Sequence, residues 1–271
     1  MANNSYYWEG KNERARNASH RTSLLNERFG KEIQHSVDNT RRYDGPLSTQ
    51  DGTGDKTDIF MKIYEGDSVA ALMSLCKPGQ KTAVLNFASY KHAGGGYLAG
   101  SRAQEESLCH ESFLYNVLSK FEDSYYVPNR KDLNKALYRD KALYSQDVMF
   151  NRNGKKRTCD VLTCASPNFS ADEKSGVTRE QNNVVMRERI RFILEIAKRE
   201  KVNTFIVGAW GCGVFGQDPN VVAKLFAEES RKVLQNTSME IVFAVIPPLP
   251  HQTDNLTPFV EMVKDFRANR I

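Results

Sequence analysis

The sequence predicts an α/β fold in which a mixed, largely parallel central sheet lies between two layers of helices. From residue 59 onward, short apolar runs alternate with longer segments in which apolar residues recur every three or four positions, the pattern of strands connected by helices. The chain has 271 residues, 40% of them hydrophobic, which is enough to bury one large core. Residues 1–55 are polar, so we predict an N-terminal extension over 1–55 that packs on a core domain over 56–271.

Within the extension, Leu24, Leu25, Phe29 and Ile33 form a helical stripe that predicts a helix over residues 15–33. In the core domain, residues 122–141 and 151–158 are charged and without period, so we expect solvated loops there. The remaining elements are predicted in this order: strand 59–64, helix 67–76, strand 82–87, helix 105–121, strands 142–150 and 160–164, helix 183–201, strand 204–209, helix 219–235, strand 240–246 and helix 255–268.

Composition excludes several classes of function. The net charge of +5 is modest; it suits a polyanionic ligand slightly better than a polycationic one but is only weak evidence for nucleic-acid binding, and direct nucleic-acid binding is not expected. Five cysteines without C-x2-C spacing predict reduced thiols and no metal site. The N-terminus lacks a signal pattern and no run is long enough to span a membrane, so we expect a cytoplasmic protein, or a nuclear one if the source is eukaryotic.

The most informative segment is Gly94-Gly95-Gly96, which follows a predicted strand, with Glu105 and Glu106 at the start of the next predicted helix. Three adjacent glycines suit positive φ or close approach to a ligand such as phosphate, although a flexible surface loop would also explain them. Acidic residues in a first helical turn also suit the helix dipole. Adjacent helical residues project about 100° apart, so the two carboxylates would have different environments.

A second glycine loop, residues 208–219, also follows a strand and precedes a helix. Its Gly211, Gly213 and Gly216 match G-x-G-x-x-G, which a dinucleotide-binding dehydrogenase would also show. The late position, the absence of a ribose-binding acid after the next strand and the earlier glycine loop disfavour that reading. Two glycine loops at strand ends suit a diphosphate held from both sides.

Gly94-Gly95-Gly96, seven residues and then Gln104-Glu105-Glu106 resemble the signature of poly(ADP-ribose) glycohydrolases of the bacterial type, and the similarity covers roughly residues 59–250. The resemblance implies a macrodomain fold, with a diphosphate between the loops at 94–96 and 211–216. It also implies cleavage of ribose–ribose bonds, mainly from polymer ends, without cofactor or metal.

The same resemblance implies roles for individual residues. Glu106 matches the catalytic acid, Glu105 the carboxylate that orients the ribose hydroxyls, and Gln104 a hydrogen-bonding support for the pair. Phe215 matches an aromatic that packs on the distal ribose, although a buried core Phe is the alternative. Asp67 matches a carboxylate that binds the adenine amino group, although Asp before a helix is also a common N-cap. The implied substrate-binding residues are Asp67, Asn86, Gly94, Gly95, Gly96, Gln104, Gly211, Cys212, Gly213, Val214, Phe215 and Gly216.

Two alternative functions use the same pocket. One is a macrodomain reader that binds ADP-ribose without cutting it, and the other is a mono-ADP-ribosyl hydrolase. For the glycohydrolase, the expected partners are poly(ADP-ribose) or ADP-ribosylated protein, with ADP-ribose as the product, and we expect a monomer.

Overall fold

The computed structural model of the chain describes residues 10–47, 59–172 and 176–268. Its centre is one mixed seven-stranded sheet with strand order β1-β4-β5-β3-β6-β7-β2. The strands β5, β3, β6, β7 and β2 run parallel, and β4 is antiparallel to both β1 and β5. The strands are β1 Arg41–Asp44, β2 Phe60–Glu65, β3 Thr82–Phe87, β4 Lys141–Arg152, β5 Lys155–Cys164, β6 Thr204–Val207 and β7 Glu240–Val245.

Helices cover both faces of this sheet. Helices α1 to α4 pack on one face and α7 to α9 on the other, so the predicted three-layer α/β/α architecture is confirmed. The helices are α1 Lys11–Asp38, α2 Ser68–Leu75, α3 Gln104–His110, α4 Leu114–Leu118, α5 Val127–Lys131, α6 Phe169–Asp172, α7 Arg179–Arg199, α8 Pro219–Val233 and α9 Thr257–Arg267.

Alternation along the central strands supplies both cores. In β3, Ala83 and Leu85 face the α7–α9 layer, whereas Val84 faces the α1–α4 layer. Both sets are fully buried, as expected for a strand covered on each face. None of the helices in the described ranges is long and apolar enough to cross a membrane.

The expectation of solvated loops was wrong for much of residues 151–158. These residues extend β4 and β5 into a long hairpin whose turn is Asn153-Gly154, both at positive φ. Asn-Gly at a two-residue turn is a strong hairpin signal, and it was obscured by the charged residues around it. Strand β1 was also missed, because its four residues are mostly exposed and carry no apolar alternation.

The predicted helix over residues 105–121 is divided in the structure. Helix α3 ends at His110, and α4 begins at Leu114. Between them Ser112 bridges to Phe150 of β4, and its hydroxyl donates to Leu108 O and accepts from Leu114 N. A serine that binds the backbone locally competes with helical hydrogen bonds. Residues 122–141 are not one loop either, because they contain a π turn, α5 and a 3-10 turn.

The helix predicted in the N-terminal extension is present and longer than expected, since α1 spans Lys11–Asp38. Leu25 and Ile33 of the predicted stripe are buried against the α1–α4 layer, with Phe29 partly buried. The predicted boundary at residue 55 lies outside the described residues, and the two-part division stays a prediction.

Candidate active site

Both glycine loops leave the sheet at the same edge. Strands β3 and β6 are parallel neighbours, with Val84 opposite Ile206, so the loops that follow them begin side by side. Gly208 lies at this junction, where a Cβ would be 2.4 Å from Ala244 O and 3.2 Å from the Phe87 ring. Ligands of α/β proteins bind at the carboxyl ends of such strands, and this edge is therefore the candidate site.

The first loop is a tightly folded turn and not a flexible segment. Gly94 and Gly95 have φ of 64° and 59°, and the turn is closed by hydrogen bonds from Gly95 N to His92 O and from Tyr97 N to Gly94 O. A Cβ on Gly95 would lie 2.7 Å from one carboxylate oxygen of Glu106 and 2.8 Å from one of Glu105. The glycine at 95 therefore lets the backbone pass against both carboxylates.

Glu105 is held by groups from β3 and the segment after it. Its Oε1 accepts a hydrogen bond from Asn86 Nδ2 at 3.0 Å, and its Oε2 accepts one from the backbone N–H of Ser89 at 2.7 Å. The side chain is only 3% exposed. Burial raises the pKa of Glu105 to about 8, because it outweighs the accepted hydrogen bonds, which act in the opposite direction. The nearby charge of Glu106 adds to the increase.

Glu106 is bound differently from its neighbour. Its Oε1 accepts a hydrogen bond from Gly96 N at 2.7 Å. Its Oε2 is buried, and no residue in the described ranges supplies it with a hydrogen-bond partner. The two adjacent carboxylates therefore have different environments, as the spacing along the helix predicted: Glu105 faces the end of β3 and Glu106 faces the glycine turn.

Gln104 fixes the start of α3 to the sheet. Its Oε1 accepts from Phe87 N at 2.9 Å, and its Nε2 donates to Leu85 O at 2.8 Å and to Ser68 Oγ at 3.0 Å. These bonds go to β3 and α2 and not to either carboxylate. Gln104 thus supports the pair by anchoring the helix that carries it.

The second loop is fixed at its ends and exposed at its tip. Gly211 and Gly216 have positive φ, and a Cβ on either would be under 3 Å from Ser166 Oγ or Ser170 Oγ. No atom lies within 4 Å of a Cβ built on Gly213, and Val214 is 83% exposed. Cys212 points the other way and is buried. The open backbone at 213–214 is the part of the loop that a ligand can approach.

Phe215 is partly buried and partly exposed, so its burial does not decide between an aromatic that packs on the ribose and a core Phe. It packs on Tyr138 with ring centroids 6.3 Å apart, and Tyr138 stacks on Tyr90 at 4.4 Å. Neither tyrosine was predicted as part of the site. Tyr138 falls in a stretch without periodicity, so no sequence signal marked it.

Asp67 is the N-cap of α2 and also half of an ion pair. Its Oδ1 accepts from Val69 N and Ala70 N at 2.9 Å, and Arg152 donates to both of its oxygens at 2.8 and 3.0 Å. Arg152 also binds Glu111. Three of these four bonds are to Oδ1 and one is to Oδ2. Sequence reasoning missed Arg152, which is distant along the chain.

The N-terminal helix contacts the first glycine loop directly. Arg14 Nε donates to Gly100 O at 2.8 Å, and Tyr97 Oη donates to Ala18 O at 3.2 Å. A Cβ on Gly100 would be 2.1 Å from Lys11 O. Helix α1 therefore packs on the turn that directly follows Gly94–Gly96.

In the described ranges, no three His, Cys, Asp or Glu side chains are grouped so that they could hold a metal ion.

Comparison with known proteins gives consistent results. The family model "Microbial-type PARG, catalytic domain" matches residues 12–153. The chain is similar to the crystal structure of poly(ADP-ribose) glycohydrolase (PARG) from Thermomonospora curvata bound to the inhibitor ADP-HPD, at 27% identity and a TM-score of 0.75, over 92% of this chain and 98% of that one. It is also similar to PARG from Deinococcus radiodurans in complex with ADP-ribose, at 30% identity and a TM-score of 0.76, over 86% and 97%. No curated protein sequence matched.

Proposed function

The chain belongs to the microbial-type poly(ADP-ribose) glycohydrolase family, and from this membership we propose a mechanism in which Glu106 transfers the proton and Glu105 positions the ribose. The protein is a glycosidase that hydrolyses ribose–ribose bonds of poly(ADP-ribose). The observation that supports the assignment of roles is the difference in hydrogen bonding: both oxygens of Glu105 accept hydrogen bonds from Asn86 and Ser89, whereas Oε2 of Glu106 has no partner among the described residues.

The first step is cleavage of the glycosidic bond. Glu106 protonates the oxygen of the departing ribose, so the bond from that oxygen to the anomeric carbon breaks without expelling an alkoxide. Oε1 of Glu106 accepts a hydrogen bond from Gly96 N–H. We therefore assign the transferred proton to Oε2. The distal ribose becomes an oxocarbenium-like cation, which the anionic diphosphate of the substrate partly stabilises.

The second step restores the enzyme. Water adds to the anomeric carbon and gives its proton to Glu106, which completes hydrolysis with one residue serving as acid and then as base. Glu105 binds the ribose hydroxyls during both steps. Its own two oxygens are held by Asn86 and Ser89, so its orientation is set before substrate binds. Such preorganisation lowers the cost of reaching the transition state.

The two glycine loops are proposed to hold the diphosphate. Backbone N–H groups at helix starts and in glycine turns favour anions, and Gly213 and Val214 offer exposed backbone at the tip of the second loop. Phe215, partly exposed beside this tip, would pack on the distal ribose. Asn86 acts through Glu105, whose Oε1 it binds, and a direct contact of Asn86 with the ligand stays a prediction. An adenine contact of Asp67 stays a prediction; Arg152 and the α2 backbone already donate to its oxygens.

Three further properties are proposed. Polymer ends are the expected site of cleavage. A monomer and a cytoplasmic location are expected as well, the latter because the five cysteines are free thiols, as is common where the redox environment is reducing.

The deciding experiment compares three substrates: poly(ADP-ribose), protein carrying a single ADP-ribose, and free ADP-ribose as a calorimetric ligand. We expect release of ADP-ribose from polymer. Tight binding without any hydrolysis would instead support a reader, and turnover of only the singly modified protein would support a mono-ADP-ribosyl hydrolase.

A further inference from the structure

A left-handed turn lies beside Phe215. Asn134, Lys135 and Ala136 have φ of 45°, 53° and 66°, and Tyr138 has φ of 60°. Residues with a Cβ avoid this region, and such conformations persist where the surrounding structure holds them, often at functional sites. The turn needs an explanation that its own sequence, which contains no glycine, does not supply.

Arg189 of α7 is hydrogen-bonded to this turn. Its guanidinium is fully buried and donates to Asp140 Oδ1 at 2.5 Å, to Leu137 O at 3.2 Å and to Ala165 O at 2.5 Å. Ala165 directly follows β5, so one buried cation ties the turn to the end of a central strand. Burying a charged side chain costs desolvation free energy, which is offset only where the charge is fully hydrogen-bonded.

The result is an aromatic stack that joins the two halves of the site. Tyr138 lies parallel to Tyr90, with an interplanar angle of 10°, and contacts Phe215 at an angle of 59°. Tyr90 is adjacent to Ser89, whose N–H binds Glu105. The stack therefore connects the segment that holds Glu105 with the aromatic residue of the second glycine loop.

We propose that Tyr138 is a positioning residue that sets the Phe215 ring against the ribose beside the cleaved bond; this rests on the proposed function. Phe215 lies in a loop with an exposed tip, and its ring needs a neighbour to select one orientation. A tilted aromatic contact supplies that preference. The left-handed backbone at Tyr138 is what aims its ring between Tyr90 and Phe215.

A double-mutant cycle tests the proposal. Tyr138→Leu and Phe215→Ala are made singly and together, and kcat, KM and ADP-ribose affinity are measured for each. We expect Tyr138→Leu to lower kcat/KM about five- to tenfold, the range of one aromatic contact. In the Phe215→Ala background the same change should cost less than about twofold, because Tyr138 acts through Phe215. Tyr138→Phe keeps the stacked ring, so this variant should retain the activity that Tyr138→Leu loses.

Equal losses from Tyr138→Leu in both backgrounds would overturn the proposal, as would no loss in the wild-type background. Lys135→Ala, an exposed change on the same turn, is the matched control and should stay within about twofold of wild type. Calorimetry with ADP-ribose gives the same cycle without turnover. If wild type fails to cut polymer but the binding cycle is non-additive, the proposed function fails while the link between Tyr138 and Phe215 stands.

Discussion

The Glu106 carboxylate accepts a hydrogen bond from the backbone N–H of Gly96 at 2.7 Å, two residues after the first glycine of the triplet. The Glu106 side chain and the glycine turn are thus one hydrogen-bonded unit. Any change to either should alter the other, and the predictions below make use of that coupling.

Glu106→Gln should abolish turnover and preserve binding. Glutamine keeps an oxygen that accepts from Gly96 N–H but has no acidic proton to transfer, so release of ADP-ribose should fall at least about 10²–10⁴-fold. ADP-ribose affinity, measured by calorimetry, should change by less than about tenfold. Glu261→Gln, an exposed change on α9, is the control. Wild-type turnover in the Glu106 variant would exclude Glu106 as the acid.

Glu105 should make stability depend on pH in a defined window. Its pKa is about 8 in the folded chain against 4.5 for an unperturbed carboxyl, so the folded state binds the proton more tightly. The contribution of the protonated Glu105 to the free energy of unfolding is fully present below about pH 4.5. It is lost as pH rises to about 8, by up to about 1.4 kcal/mol per pH unit. Denaturant unfolding of ligand-free wild type and Glu105→Gln at several pH values measures it. Parallel pH profiles for the two proteins would contradict the prediction.

Gly95→Ala should damage both stability and turnover. The new Cβ would meet two carboxylate oxygens, at 2.7 and 2.8 Å, on a backbone with φ of 59°, and left-handed backbone alone costs about 1–2 kcal/mol. Gly213→Ala is the matched control for stability, since its Cβ meets nothing within 4 Å, and it should change the free energy of unfolding by less than about 0.5 kcal/mol. Equal losses of stability in the two variants would contradict the prediction, because they would show that the Glu105 and Glu106 side chains move easily away from the new Cβ.

Asp67→Asn should be more destabilising than the same change at another N-cap. Asparagine caps helices about as well as aspartate, so the loss isolates the ion pair with Arg152, at about 1–3 kcal/mol. Asp218→Asn, at the exposed N-cap of α8, is the comparison and should be nearly neutral. Chemical denaturation measures both. A loss of preference for ADP-ribose over its inosine analogue in Asp67→Asn would separately support the adenine contact.

Much of the sheet was predictable because its central strands are apolar on both faces and bounded by turn residues. Strand β3 was predicted to the residue, and β6 and β7 to within two. The failures have different causes. The four mostly exposed residues of β1 pair with the distant strand β4, and local periodicity does not report such a contact. The Asn153-Gly154 turn is a local signal that the charged residues around it obscured, and Ser112 breaks the helix through hydrogen bonds to nearby backbone and a bridge to Phe150.

The candidate site divides in the same way. The glycine triplet and the carboxylate pair are contiguous in sequence, so their spacing was visible. What orients them was not: Asn86 was named without its partner, and the Ser89 N–H that binds Glu105 is a backbone group that no side-chain pattern reveals. Tyr138 and Arg189 come from other segments and converge only through the fold.

The contact between α1 and Gly100 predicts that docking of α1 and binding of ligand are coupled. If a bound ligand orders the glycine turn, thermodynamic linkage requires that it also favours the docked state of α1, and by the same factor docking of α1 favours ligand binding. Saturating ADP-ribose should therefore slow amide hydrogen exchange in the first turns of α1, near Arg14 and Ala18, more than near Ile33. Weakening the dock with Arg14→Ala, against the exposed control Arg16→Ala, should loosen ADP-ribose binding. Docking of the polar N-terminal helix would then increase the affinity of the protein for its product, ADP-ribose.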